Sequence, residues 1–482
     1  MKMERGNGVL CHISSLPNYF GHGCMDKSAY EFIDNLAKCQ QKYWQILPLN
    51  IVDEYNSPYY SVSQFAFNPL LIDLTEFYTS DQLTNMGMKK NMPYAKYVAT
   101  KKKILISLCN QLENKIDKRK LDDFIKNNSY WIHDYAKYMT LKDKYISLSN
   151  FPKNYLDKNS ADTNDYIAKH SDTLARYIME QYIFYTQWSK LKEYATKMNI
   201  KIIGDMPIYC SPDSADVWAY PQYFKVDSSL CPTLLAGVPA DYFNDKGQLW
   251  GNPIYNYANM ADDNYTWWIN RIKHLFTLYD YIKIDHFRAF EKYYAIKAGS
   301  ADATQGKWYK GIGNKLFPLL KQLDLYNFIL EDLGIIDDSV RALKQKTNLP
   351  GMKIFMFAFD GDDKNIYLPH LYEKNCVAYL GTHDNNTFDG LLQNATAKAN
   401  ICKYLFLPDY TSNNQITYCA IERLLASNAN VTILRTQDLL LQDSTQRINT
   451  PGTTTGNWQY HCPRIPNDTW AYLMDITKKY NR

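Results

Sequence analysis

Tyr281-Ile-Lys-Ile-Asp285-His286-Phe-Arg288 is a short, β-branched, mostly apolar run that stops on an acid. A run of that length without polar alternation suits a strand buried on both faces, as in a parallel sheet. Its one charged member, Lys283, lies two residues before Asp285. Residues i and i+2 of a strand face the same way, so the ammonium should sit beside the carboxylate and hold it ionised.

Runs of the same kind recur along the chain at Val9–Leu16, Tyr43–Leu49, Lys201–Cys210, Tyr326–Glu331, Met352–Phe359, Cys376–Thr382 and Asn430–Thr436. With Asp280–Phe287 they make eight candidate strands. Segments of helical spacing, such as Asp26–Gln40 and Gly311–Leu323, lie between most of them. Eight buried strands separated by helices favour a (β/α)8 barrel over an open sheet. About 150 residues separate the second run from the third, far more than a structureless loop inside a compact domain usually spans. This stretch, roughly 81–199, is rich in Lys, Asn, Asp and Tyr, with helical segments such as Tyr177–Met198. The expectation is a single catalytic barrel over residues 1–482 that carries an inserted, largely helical subdomain and no C-terminal β domain.

The whole chain fits that picture. Its 482 residues are 46% hydrophobic and 22% charged, an ordinary globular balance. Net charge is only +4 and is not clustered, which argues against nucleic-acid binding. No signal peptide and no apolar stretch of bilayer-spanning length occurs, so no membrane association is expected. Ten scattered cysteines without a CxxC pair point to a reduced, cytoplasmic protein. The 41 Tyr, 20 Phe and 10 Trp are an excess that fits either sugar-stacking surfaces or a compositional bias.

Acids end several of the runs. Asp205 closes Lys201-Ile-Ile-Gly-Asp205, Asp285 the run quoted above, and Glu331 closes Phe328-Ile-Leu-Glu331. His383 and Asp384 follow Tyr379-Leu-Gly-Thr. C-terminal strand ends of a barrel gather around one mouth, so these residues should converge. One acid after a strand is commonly a helix cap; four at separate strand ends with two adjacent His are harder to explain so. Two chemistries use such a ring. Metal-dependent hydrolysis calls for His-rich ligand sets, yet none of the nine His forms a His-x-His pair. Glycoside chemistry needs two carboxyls of different pKa flanking a scissile bond, with no metal. Asp285, Glu331 and Asp384 suit the second better.

At these residues the sequence resembles the 4-α-glucanotransferases (amylomaltases, disproportionating enzymes) of the α-amylase clan. Shared landmarks run nearly end to end. They include Ser14-Ser-Leu-Pro17, Trp44-Gln-Ile-Leu-Pro-Leu49, Ser57-Pro-Tyr59, Phe65-Ala-Phe-Asn-Pro69 and Gly204-Asp-Met-Pro-Ile-Tyr209. Further along come Asp213-Ser-Ala-Asp-Val-Trp218, the loop from Gly237-Val-Pro-Ala-Asp241-Tyr-Phe243 to Gly247-Gln-Leu-Trp-Gly-Asn-Pro253, Asn449-Thr-Pro-Gly452 and Gly456-Asn-Trp458. The loop is the most specific of these; the helical insertion lies outside them.

The resemblance implies a retaining transferase that moves segments of 1,4-α-glucans and maltooligosaccharides, needs no cofactor or metal, and leaves oligomeric state open. Carried over, Asp285 is the nucleophile, Glu331 the general acid and base, and Asp384 the transition-state stabiliser with His383 beside it. Asp205, Tyr59 and Ser57 fall on the donor side, Lys283 and His286 are further substrate-binding positions, and Asp241 and Trp250 lie on a loop (237–253) folding over the acceptor. Asp360 and Asn457 are further substrate contacts. Lys283 departs from the pattern, standing where the clan has Arg; Ala289, Ala240 and Tyr293-Tyr294-Ala295 are smaller departures. An α-glucan hydrolase and a catalytically impaired glucan-binding protein are the competing readings of the same scaffold.

Overall fold

The computed structural model describes residues 3–113, 115–240 and 245–482. Eight parallel strands close into a barrel in chain order. They are β1 (Gly6–Leu10), β2 (Tyr43–Gln45), β3 (Lys201–Met206), β4 (Tyr281–Ile284), β5 (Phe328–Leu330), β6 (Gly351–Ile354), β7 (Cys376–Tyr379) and β8 (Val431–Arg435). Each of the eight apolar runs supplies one strand. The first is displaced: β1 starts at Gly6, and Ile13–Ser15 is a 3-10 turn. Close approach explains the small residues there. A Cβ on Gly8 would lie 2.5 Å from the Tyr43 carbonyl oxygen and 2.8 Å from Ile433 Cδ1.

Helices cover the barrel by burying one stripe each. In Lys27–Lys38 the Asp26 side chain accepts from Ser28 N, and Ala29, Phe32, Ile33 and Leu36 are buried at helical spacing. Between β2 and β3 the chain forms six helices among the described residues: Ser80–Asn85, Tyr94–Leu112, Lys118–Asn127, Ile132–Tyr145, Ala161–Lys169 and Ser171–Lys197. The last of these packs on β3 and on the barrel helices Lys27–Lys38 and Thr266–Leu278. Aromatic rings form the seam. Phe67 stacks on Phe184 at 4.8 Å and on His274 at 5.2 Å, and Phe65 stacks on Trp131 at 6.3 Å. Such pairs contribute about 0.5–1.5 kcal/mol beyond the area they bury.

A four-stranded antiparallel sheet is the feature that the apolar runs do not announce. Its order is Gln248–Pro253, Leu234–Val238, Lys292–Lys297, Lys307–Lys310. Three of these strands carry a polar or lysine end, and the last is largely exposed, so none reads as a buried run. The sheet is built from the excursions that flank β4 and carries Trp250. Residues after β8 form the short helix Thr436–Leu439, the 3-10 turn Ser444–Gln446, loops and the helix Asn467–Lys479. No helix among the described residues is long and apolar enough to cross a membrane.

One glycine in β3 is held by sterics. A Cβ on Gly204 would lie 2.2 Å from the ring of the buried Tyr279. Gly204→Ala is expected to lower unfolding free energy by about 1–3 kcal/mol through overpacking, read as a lower denaturant midpoint at unchanged slope.

Candidate active site

Strand register sets the site. Asp205 on β3 pairs across with Lys283 on β4, and Lys283 pairs with Ile329 on β5. Asp285 follows Lys283 by two residues and Glu331 follows Ile329 by two, so both acids emerge at one level from neighbouring strand ends. The Lys283 side chain is 2% exposed and meets all three carboxylates. Its Nζ lies 3.0 Å from Asp205 Oδ2, 2.9 Å from Asp285 Oδ1 and 2.6 Å from Glu331 Oε2. The expected contact with Asp285 is therefore one of three.

A single ammonium among three acids leaves surplus negative charge, and the acids respond unequally. Burial alone would raise Asp285, but the Lys283 charge and hydrogen bonds from Glu331 and Lys283 hold its carboxyl below the ordinary range. Glu331 goes the other way: burial, then the neighbouring Asp285 charge and the hydrogen bond it gives Asp285, push it well above the usual value against the pull of Lys283. Of the pair, Asp285 therefore gives up its proton more readily and Glu331 holds one more firmly. Burial also raises Asp205, opposed by Lys283.

Tyr59 covers this cluster. Its hydroxyl donates to Asp205 Oδ2 at 2.8 Å, and its ring stacks on His383 at 5.1 Å. Ser57 shapes the turn that delivers it: Ser57 N donates to Asp53 Oδ1, and Ser57 Oγ accepts from Tyr59 N. His383 is buried, with Nε2 3.3 Å from Asp384 Oδ1. The same Asp384 oxygen accepts from Asn449 Nδ2 at 2.6 Å. His286 adopts a left-handed backbone (φ 48°) directly after Asp285. Burial lowers its pKa to about 4, and its Nε2 is buried without a hydrogen-bond partner among the described residues. The indole of Trp250 meets the His286 ring edge-on at 4.9 Å.

Two sequence candidates stand apart from this constellation. Asp360 is exposed and spends its carboxylate on its own turn, accepting from Asp362 N at 3.0 Å and Asn365 Nδ2 at 2.9 Å. Asn457 is buried and braces a loop, accepting from Thr450 N at 2.9 Å and donating to Thr453 O at 2.9 Å. Asp241 lies outside the described residues. Conversely, Asn449, Trp458 and Arg447 join the site without having been singled out. Asn449 and Trp458 belong to the quoted Asn-Thr-Pro-Gly and Gly-Asn-Trp landmarks, which was their available signal; Arg447 precedes them and carried none. Trp458 packs on both Tyr59 and His383, at 5.6 and 5.9 Å.

Trp458 is also a wall of a cavity of about 560 Å3, shared with His12, Asn50, Asn56, Tyr94 and His461. Among the described residues its lining holds aromatic rings, His and neutral amides but no Asp, Glu, Lys or Arg.

Comparison with known proteins agrees with the geometry. A family model described as 4-alpha-glucanotransferase matches residues 11–466. The 4-alpha-glucanotransferase of Clostridium butyricum is 40% identical, over 98% of this chain and 99% of its own. That of Streptococcus pneumoniae serotype 4 is 38% identical, over 99% and 98%. Among solved structures, the amylomaltase from Streptococcus agalactiae in complex with acarbose superposes with a TM-score of 0.94 at 37% identity, covering 99% of this chain and 100% of that one. The amylomaltase from Corynebacterium glutamicum, at 14% identity and a TM-score of 0.80, shares the fold. A barrel mouth whose acids gather on one buried lysine, in a chain matched over nearly its full length, places this protein in the 4-α-glucanotransferase family.

Proposed function

We propose that Asp285 is the nucleophile, Glu331 the general acid and base, and Asp384 the transition-state stabiliser of a retaining 4-α-glucan transfer. The observation that carries this reading is the shared Lys283 ammonium, which draws Asp285 and Glu331 together while burial and mutual repulsion split their proton affinities. Contact with one ammonium keeps the two carboxyls close, which suits the roughly 5–5.5 Å spacing of retaining enzymes better than the wider gap of an inverting pair.

In the first step Asp285 attacks the anomeric carbon of a bound glucan, and Glu331 gives its proton to the departing 4-oxygen. The shortened glucan leaves with a free 4-hydroxyl while the donor segment stays esterified to Asp285. In the second step the 4-hydroxyl of an acceptor glucan or glucose attacks that carbon. Glu331 takes its proton, and Asp285 departs as carboxylate. Asp384, His383, Asp205 and Tyr59 surround the donor sugar, and His286 Nε2, without a partner among the described residues, is a donor or acceptor for a sugar hydroxyl. Lys283 holds the acids apart in charge. Ser57 and Asn457 act on the loops that present Tyr59 and Trp458. The neutral, ring-lined cavity beyond Trp458 suits further sugars of the donor chain, since it offers stacking faces and hydrogen bonds without charge. Trp250 lies toward the acceptor, the side on which the resemblance also puts Asp241. The segment 81–199 serves as a helical subdomain on one barrel spanning 1–482, and the 237–253 loop frames the acceptor side. Ten free thiols fit work in the cytoplasm.

Incubation with maltotriose tests the activity. The expected product is a ladder of longer maltooligosaccharides with glucose released. Glucose and maltose alone would indicate a hydrolase, and binding without turnover an impaired glucan-binding protein.

Two further outcomes follow. The pH–rate profile of kcat/KM is expected to be a bell whose limbs belong to the Asp285–Glu331 pair. Activity rises as Asp285 loses its proton, below the ordinary carboxylate range, and falls as Glu331 loses its proton, well above it. Trp250→Ala is expected to raise KM for the acceptor roughly 3- to 10-fold, equivalent to an aromatic contact of about 0.5–1.5 kcal/mol, and to raise the ratio of hydrolysis to transfer as water gains access. Product analysis with labelled glucose as acceptor reads both.

A further inference from the structure

Asp384 is held differently from the other acids. Asp205, Asp285 and Glu331 share the buried ammonium, whereas the Asp384 side chain is 42% exposed and among the described residues forms no ion pair with a lysine or arginine. Its geometry comes from the loop after β8. Arg447 Nη2 donates to the Asp384 carbonyl oxygen at 2.5 Å, and Arg447 Nε donates to the Asn449 carbonyl oxygen at 2.7 Å. Asn449 Nδ2 in turn donates to Asp384 Oδ1 at 2.6 Å, and Asn449 N donates to the His383 carbonyl oxygen at 3.1 Å. At the other end of the residue, Asp384 N donates to Thr382 Oγ1 at 3.4 Å.

We propose that Arg447 is a positioning residue for Asp384, clamping the peptide of the acid and the peptide of its side-chain partner with one planar group. The proposal rests on the reading of Asp384 as transition-state stabiliser. A guanidinium suits this task because its fork fixes two acceptors at a set angle, and the donors here are spent on main-chain oxygens. The clamp has a firm base. Arg447 ends the 3-10 turn Ser444–Gln446, whose first turn is capped by Asp443 accepting from Thr445 N. The loop beyond is closed by Trp458 N donating to Ile448 O at 2.7 Å and by the Asn457 amide. Arg435 supplies the contrast. It too binds the β7 loop, at Thr382 O and Asn385 O, but it is 2% exposed and paired with Asp438, so it secures the stem of the loop. Arg447 is half-buried and acts on the acid itself.

The expected consequence is a selective loss of transition-state binding. Arg447→Met keeps the length and apolar stem of the side chain and removes both hydrogen bonds. With maltotriose, kcat should fall about 10- to 100-fold, the scale of a small misplacement of a catalytic group, with KM changed less than about threefold. Acarbose, whose unsaturated ring mimics the flattened transition-state sugar, should lose affinity in parallel with kcat rather than with KM. Arg447→Lys should recover part of both, and Asn449→Ala, which leaves the arginine in place, should reproduce the kcat loss. A lower melting temperature with unchanged kcat and an unchanged ratio of acarbose to maltotriose affinity would overturn the proposal. So would an equal loss of both affinities. If Arg447→Met does not fold, the Lys and Asn449→Ala variants decide by the same ratio. Asp384→Asn separates the two layers: full activity in that variant would overturn the role of Asp384, whereas loss there with a silent Arg447→Met would overturn only the clamp.

Discussion

Asp285→Asn is expected to reduce transfer from maltotriose by roughly 10^4-fold or more, the scale on which loss of a covalent catalytic group lowers kcat. The substitution is nearly isosteric and leaves an acceptor for the Lys283 hydrogen bond, so the barrel should fold with its neighbours in place. What it removes is the anion that attacks the anomeric carbon. It also removes the negative charge that raises Glu331, so the acid should titrate at lower pH in the variant, a shift that carboxyl infrared or NMR titration reads. Near-normal transfer in Asp285→Asn would show that the nucleophile lies elsewhere.

Lys283→Met should have the next largest effect and a different signature. Three carboxylates converge on one ammonium with 2% exposure, and removing one partner of a buried ion pair typically costs about 3–5 kcal/mol of stability. The acids can relieve part of that by taking up protons. Lys283 lowers both Asp285 and Glu331, so without it both should titrate at higher pH. The sign follows: the acid limb of the pH–rate bell moves upward as Asp285 needs a higher pH to ionise, and the basic limb moves upward as Glu331 keeps its proton longer. At neutral pH kcat/KM should fall about 10^2- to 10^3-fold, as when one preorganised electrostatic group is removed. Lys283→Arg keeps the charge and should retain activity within about an order of magnitude; limbs that stay in place in Lys283→Met would remove the lysine from the account.

Much of this architecture is legible in the chain because buried parallel strands have a plain signature. The eight apolar runs each became a barrel strand, and the acids that end them became the mouth. What escaped was of three kinds. The four-stranded sheet was hidden because strands such as Lys307–Lys310 lie exposed, with lysine at both ends, and bury too little to form a run. The three-way contact of Lys283 depends on register: spacing within β4 places it by Asp285, but only the pairing of Asp205 with Lys283 and of Lys283 with Ile329 brings in the other two acids. The support of Asp384 comes from residues 63 and 65 positions away, Arg447 on its backbone oxygen and Asn449 on its carboxylate, a separation that no local pattern records. The aromatic excess, ambiguous in composition, also divides in three dimensions. Tyr59, Trp250 and Trp458 frame the acids, while Phe65, Phe67, Trp131 and Phe184 bind the helical insertion to the barrel. Packing accounts for that second group without appeal to a compositional bias.

Trapping the intermediate addresses the mechanism most directly. Glu331→Gln with a 5-fluoro-α-glucosyl fluoride donor keeps the nucleophile, supplies a leaving group that needs no acid, and slows release. Digestion and mass spectrometry should find one glucosyl adduct, on the peptide carrying Asp285. An adduct on the peptide carrying Asp205 or Asp384, or turnover of the fluoride with no adduct at any burst time, would contradict the assignment of Asp285 as the attacking group.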